Sequence, residues 1–201
     1  MTGSDSAESK FEYPVLTKFL GTLNYPVLKT LKNELKANAA SIISDLEGGQ
    51  NVHLGLVLTD VEYAVVCATH PYVRHKQPSA PTFGTGTPQH EVIQLRQDYK
   101  EAKELFREMV MLEKLLLKML SQAVPSMYLN KFCNKHSNAL EKTIPEILDF
   151  LFTTYGKISE EKLLTEEQNL RVRVFEITDP MIVMYNEVDD LIELGIAAKN
   201  P

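Results

Sequence analysis

The stretch from Pro88 to Ala123 constrains the fold more than any other part of this sequence. After Pro88 it contains neither proline nor glycine. Its apolar residues recur at Val92, Leu95, Tyr99, Ala102, Leu105/Phe106, Met109, Leu112, Leu116, Met119 and Ala123. Steps of three and four residues put these on one face of an α-helix. Thr87 is placed to cap that helix, and Pro88 has the backbone angle suited to its first position. Pro125 stops it, because a proline pushes the preceding residue out of the helical region. At about 1.5 Å per residue the helix would run roughly 50 Å.

The two halves of this segment read differently. Up to Glu108, the residues Gln94, Gln97, Asp98, Glu101, Lys103 and Glu104 fill the faces off the stripe, which predicts a surface helix with one buried side. From Met109 to Leu120 only Glu113, Lys114 and Lys118 interrupt a run of Met, Val and Leu, which predicts a helix surrounded by other elements. A coiled coil is the rival reading. It is weakened by the lack of strict heptads and by apolar residues outside a two-position seam. Packing within one chain is therefore preferred, and the exposed half is left open to contact between copies.

The 201 residues are 44% hydrophobic and 24% charged, enough for one globular domain or two small lobes with a real core. The net charge of -6 argues against strong nucleic-acid binding by this region, since phosphate neutralisation needs clustered Lys and Arg. Cys67 and Cys133 are too few for a disulfide framework and form no zinc motif, which points to a reducing, intracellular setting. Met1 to Lys10 lacks the basic start and apolar core of a signal peptide, and no apolar run reaches the ~18 residues of a membrane span. A soluble protein without membrane contact is expected.

Residues 1–12 read as a disordered tail, and Phe11 to Asn24 as a tethered arm or short helix. Tyr25 to Leu46 reads as a helix, with Pro26 at its start and Gly48-Gly49 at its end. Lys29, Lys32 and Lys36 share its polar side, a solvated face rather than a phosphate site, because Glu34 and Asp45 flank them. Asn51 to Leu58 is expected to be a short strand or a buried extended linker. His53 within it reads as a hydrogen-bonded structural histidine, with no Cys or acid at metal spacing. Thr59-Asp60-Val61-Glu62 is a capping-box pattern opening a short helix to about Cys67, and Cys67 reads as a small core residue.

Thr69 to Thr87, punctuated by Pro71, Pro78, Pro81, Gly84 and Gly86, is the clearest loop. It gathers His70, Arg74, His75 and Lys76. Loops of this length in compact domains are often functional. A connector held down by Tyr72, Val73 and Phe83 carries equal weight.

Beyond Pro125 four helices are expected. The first is short, to Lys135. The second opens at the capping box Thr143-Ile144-Pro145-Glu146 and stops at Gly156. The third is capped by Ser159, with Glu160 and Glu161 in its first turn. The fourth opens at Asp179-Pro180 and ends at Gly195. Its acids Glu187, Asp189, Asp190 and Glu193 read as a solvated face rather than a metal site, and Cys133-x-x-His136 is half a zinc pair without a second half. The fold class is all-α, with many helices around one long central helix and a short N-terminal extended segment.

Catalytic signatures are missing. There is no G-x-x-x-x-G-K, G-x-G-x-x-G, G-x-S-x-G or H-E-x-x-H, and the five histidines are scattered. No catalytic residue, metal ligand or cofactor is assigned, which favours a structural or binding protein over an enzyme.

Three stretches together carry a resemblance. The first is Leu16-Thr17-Lys18 through Tyr25-Pro26 and Asn38-Ala39-Ala40. The second is His53 to Leu58 with Glu62-Tyr63 and Pro71-Tyr72-Val73. The third is Phe152 to Ile158, centred on Tyr155-Gly156, with Asp179-Pro180 and the acidic helix to Leu191-Ile192. In this order they resemble the Gag-like capsid proteins of Copia-type LTR retrotransposons, over most of residues 14–195. The resemblance implies a helical capsid-like domain over 13–200, with lobes 13–85 and 86–200, that self-assembles into cytoplasmic virus-like particles packaging the element's RNA. The family's C-x2-C-x4-H-x4-C knuckle is absent, so RNA binding is expected mainly from a segment beyond Pro201.

Candidate assembly contacts are Leu95, Tyr99, Met181, Met184 and Tyr185, and candidate weak RNA contacts are Arg74, His75 and Lys76. The alternatives are a helical adaptor binding a partner peptide or helix and, last, an enzyme built around Cys67, Cys133 or the loop histidines.

Overall fold

In a computed structural model of the chain, residues 10–19, 21–43, 49–74, 76–174 and 180–199 are described. The chain is all-helical, with α1 (Tyr25–Ala40), a 3₁₀ helix (Gly49–Leu56), α2 (Asp60–Val66), α3 (Gln89–Ala123), α4 (Ser126–Leu129), a 3₁₀ turn (Asn130–Phe132), α5 (Ile144–Tyr155), α6 (Glu160–Val172) and α7 (Met181–Lys199). Two compact units are formed. One comprises 1–20 and 30–148, the other 21–29 and 149–201. Of the three divisions, one precedes α1 and the other two fall inside α1 and α5.

In the first unit the C-terminal half of α3 forms the core as its composition predicts. Met109, Leu112, Leu115, Leu116, Met119, Leu120 and Ala123 are all buried. Leu31, Leu35 and Ala39 of α1, Tyr63 of α2, and Ile144, Ile147 and Leu148 of α5 are buried in the same unit. The buried polar side of α1 fixes the N-terminal arm. Asn38 accepts from the Tyr13 amide and donates to the Tyr13 carbonyl, both at 2.8 Å. Glu34 accepts from the Thr17 amide at 2.9 Å and from its hydroxyl at 2.5 Å. The arm over 10–19 and 21–24 is therefore tethered rather than helical, and its own Phe11 and Leu16 are buried. Satisfying both partners is what lets Asn38 and Glu34 sit inside.

Local signals account for several helix starts. Thr59 and Glu62 form the expected capping box. Glu146 accepts from the Thr143 amide at 2.9 Å, and Ser159 accepts from the Lys162 amide at 3.2 Å. Each satisfies a donor that a helix start leaves unpaired.

The structure differs from the sequence reading of local elements in several places. Residues 51–56 form a 3₁₀ helix and not a strand or extended linker. Its run of apolar side chains is buried, and a short buried run has no period by which to tell the two apart. Helix α1 ends at Ala40, with Leu46 and Gly48 outside the described residues. Pro88, not Thr87, occupies the cap position of α3, and the Thr87 hydroxyl instead donates to the Gly84 carbonyl at 3.0 Å. Helix α7 runs through Gly195 to Lys199, because a glycine with open space around it and no left-handed φ only weakens a helix. Cys67 is half-buried at the end of α2 rather than in the core. Asp179, the predicted cap of α7, lies outside the described residues.

The second unit is smaller and more open. Leu23, Leu28, Leu151 and Leu194 are buried in it. Tyr25 meets Phe152 edge-on at 5.8 Å, and α6 packs on α7. The Tyr155-Gly156 pair closes α5. Gly156 donates its amide to the Phe152 carbonyl at 2.9 Å, and a Cβ there would sit 2.7 Å from that same oxygen. Only glycine fits this stop without a shift.

Candidate functional site

The charged side chains of the helices are more engaged than a solvated face requires. Lys29 pairs with Glu193 at 2.6 Å and Asp190 at 2.9 Å within the second unit. These two carboxylates, Glu193 foremost, raise the Lys29 ammonium to about 12. Glu187 pairs with Arg173. Lys32 pairs with Glu62 in the first unit, and Lys36 reaches Asn33 at 3.3 Å. Lys29, Lys32, Glu187, Asp190 and Glu193 are thus paired, while Asp190 and Glu193 remain exposed, as does Asp189, in keeping with a solvated acidic face on α7. Among the described residues no group of three or more His, Cys, Asp or Glu is placed to hold a metal ion, and no helix is long and apolar enough to cross a membrane.

His53 is fully buried, and its Nε2 lies 3.1 Å from Glu108. Its Nδ1 has no hydrogen-bond partner among the described residues. Burial pushes the imidazole below its ordinary value, and Glu108 only partly opposes this. A neutral ring donating from Nε2 leaves Nδ1 a bare acceptor, and protonation would bury an unpaired N–H there.

The start of the proline-rich loop is tied down. Tyr72 lies against Gly55, where an added Cβ would overlap its ring, and its centroid is 5.4 Å from that of Tyr63. Arg74, a candidate RNA contact, gives Nη1 to both carboxylate oxygens of Glu113 at 2.8 and 3.0 Å. Lys76 is exposed, and His75 lies outside the described residues. Among the described residues of this loop His70 and Lys76 are exposed, and Arg74, exposed as well, is paired with Glu113.

The unengaged features are apolar. The N-terminal half of α3 has no buried residue before Met109, against the expectation of one buried side. Ile93 is 60% exposed and Leu95 43%. Ala102 is exposed, and Val92, Tyr99, Leu105 and Phe106 are half-buried. Arg96 stands over the Phe83 ring at 5.4 Å and Lys103 over the Tyr99 ring at 5.6 Å. Helix α7 has a second such stripe. Met181, Tyr185, Ile192 and Ile196 are each more than half exposed, and at 3.6 residues per turn they fall within about 60° of one another. Met184 stands off this stripe and is half-buried. Ile93, Ile192 and Ile196 extend the surfaces anticipated from Leu95, Tyr99, Met181 and Tyr185. Their signal in the sequence is the helical spacing itself, which marks a face without saying what covers it.

No protein-family model, no curated protein and no solved structure matches this chain.

Proposed function

We propose that the chain is a structural protein that associates with copies of itself, in the manner of a Gag-like capsid protein, and not a catalyst. The observation that carries this reading is the pair of partly exposed apolar stripes, one on α3 in the first unit and one on α7 in the second. Large apolar side chains gathered in stripes on a folded surface mark contact sites. A chain with one self-complementary surface closes into a dimer, whereas two separate surfaces let each copy bind two neighbours and build a shell or lattice. Weak contacts then add through multivalency. The resemblance to Copia-type Gag proteins supports the same reading, with cytoplasmic virus-like particles as the product and element RNA as the cargo. The exposed Lys76 and the tethered Arg74 give this region little to hold RNA, so RNA enters chiefly through a further segment.

The test is assembly of the purified chain across concentration and salt, followed by light scattering and electron microscopy. Particles or higher oligomers are expected. Leu95→Glu and Tyr185→Glu should each leave helical content intact and abolish particles, because each charges one stripe. A chain that stays monomeric at high concentration in all salts, or a Leu95→Glu variant that unfolds, would sink the reading. A monomer that takes up one amphipathic partner helix would favour an adaptor instead.

A further inference from the structure

The N-terminal half of α3, whose stripe is half-buried to exposed, has a spacing that the full segment obscures. Taken from Val92 to Phe106 alone, the stripe runs Val92, Leu95, Tyr99, Ala102, Phe106, in strict alternation of three and four. These are successive a and d positions of two heptads, with β-branched Val at the first a and Leu at the first d, a combination that favours two strands. Met109 continues the register as the next d position, which is then lost at Glu113, inside the buried half of the helix; within the stretch Ile93 and Leu105 are apolar at the b and g positions. The apolar residues that spoil it over the whole segment, such as Leu112 and Leu115, are buried in the first unit.

The flanking charges choose an orientation. In this register the g positions are Glu91 and Asp98 and the e positions are Arg96 and Lys103. In a parallel pair, a g residue faces the e residue of the following heptad on the other helix. Glu91 then faces the partner's Arg96, and Asp98 the partner's Lys103, giving four opposite-charge contacts by symmetry. In an antiparallel pair e faces e and g faces g, so bases meet bases and acids meet acids. The Lys103 ammonium lies over Tyr99, flanking the seam as an e residue does. Within one chain Asp98 accepts from Gln94 at 2.7 Å and Arg96 stands over the Phe83 ring, exposed contacts that pairing would exchange for the interhelical ones. The helical form needs no separate nucleation, because the same helix is anchored by its buried C-terminal half.

We infer that the N-terminal half of α3 pairs with the same segment of a second copy as a short parallel two-stranded coiled coil, with Val92, Leu95, Tyr99, Ala102 and Phe106 as its seam. The seam is roughly 20 Å long, so a single pairing is weak and reversible. The inference rests on the self-association reading of this surface and adds the partner segment and its direction.

The experiment uses the full chain and two charge-reversed variants. Arg96→Glu with Lys103→Glu makes all four flanking positions acidic, and Glu91→Lys with Asp98→Lys makes them basic. Each variant alone should associate at least about ten-fold more weakly than the parent by sedimentation, with unchanged circular dichroism. Mixed one to one, they should form a heterodimer at parental strength. In a Cys67→Ser, Cys133→Ser background, Leu95→Cys should oxidise to a symmetric 95-to-95 disulfide, since parallel seams bring like positions together. If the chain associates but that cross-link is missing, or mixing restores nothing, the parallel pairing is wrong while self-assembly stands. A parent chain that is monomeric throughout overturns both.

Discussion

Replacing Gly55 by alanine isolates one contact that the fold depends on. Gly55 lies in the 3₁₀ helix under the ring of Tyr72, and a Cβ there would overlap that ring. The clash is with the root of an aromatic side chain, so the whole ring has to move. Displacing it gives up about 1.5–3 kcal/mol of burial and about 0.5–1.5 kcal/mol of contact with Tyr63. Part of this returns, because the Tyr72 hydroxyl is buried without a partner among the described residues, a state that itself costs about 1–3 kcal/mol. With each term at the middle of its range the net cost of Gly55→Ala is about 1 kcal/mol, or a fall in Tm of roughly 2–4 °C for a chain of this size. In a Tyr72→Ala background the space is open, and the same change should be neutral or gain about 0.5–1 kcal/mol from the helical preference for alanine. The assay is urea unfolding of the four proteins in the cycle. If Gly55→Ala costs the same in both backgrounds to within about 0.5 kcal/mol, the ring is not why residue 55 is glycine, and the account of how the loop is held fails. Tyr72→Phe, which removes only the orphaned hydroxyl, should raise stability by about 1 kcal/mol.

Other outcomes follow from the same structure. Leu116→Ala, in the buried half of α3, should cost about 2–5 kcal/mol, whereas Ile93→Ala in the uncovered half should stay within about 0.5 kcal/mol; equal costs in chemical denaturation would contradict the division of that helix. His53 has a depressed folded pKa, so the unfolded chain takes up its proton first and stability should fall as pH drops below about 6.5, levelling off beneath the folded value. A His53→Gln chain should lack that step in its stability profile, and an unchanged profile would remove His53 as the cause. Lys29→Ala should cost about 0.2–1 kcal/mol, since its pairs are partly exposed, and the loss should shrink in high salt.

What could be read from the sequence was what is decided locally. Thr59 with Glu62, Thr143 with Glu146, and Ser159 each act within one helical turn, so residue type and spacing sufficed. The buried half of α3 was legible because its apolar density leaves few polar faces. What failed depended on the rest of the molecule. The run 51–58 is apolar on all sides, and only its surroundings decide between a strand and a 3₁₀ helix. Gly195 resembles a stop, yet nothing around it turns the backbone to a positive φ. The pairing of Lys29 with Asp190, 161 residues away, and of His53 with Glu108 has no trace in local pattern. For the candidate surface, spacing identified Leu95 and Tyr99 as one face. Whether that face is covered is a property of the whole chain, and the expectation of a buried side proved wrong.

The second unit takes its first nine residues, 21–29, from one end of the chain and the remainder, 149–201, from the other. During translation at about 5–20 residues per second, Tyr25 and Lys29 leave the ribosome long before Phe152, Asp190 and Glu193 exist. Lys29 and Asp190 are 161 positions apart, a wait of roughly 8–32 s at that speed. The first unit has all its residues once position 148 has emerged, so it can fold while the second waits. No contiguous fragment contains the second unit alone, and a chain cut short near residue 148 would leave the opening turns of α1 without Phe152, Asp190 and Glu193.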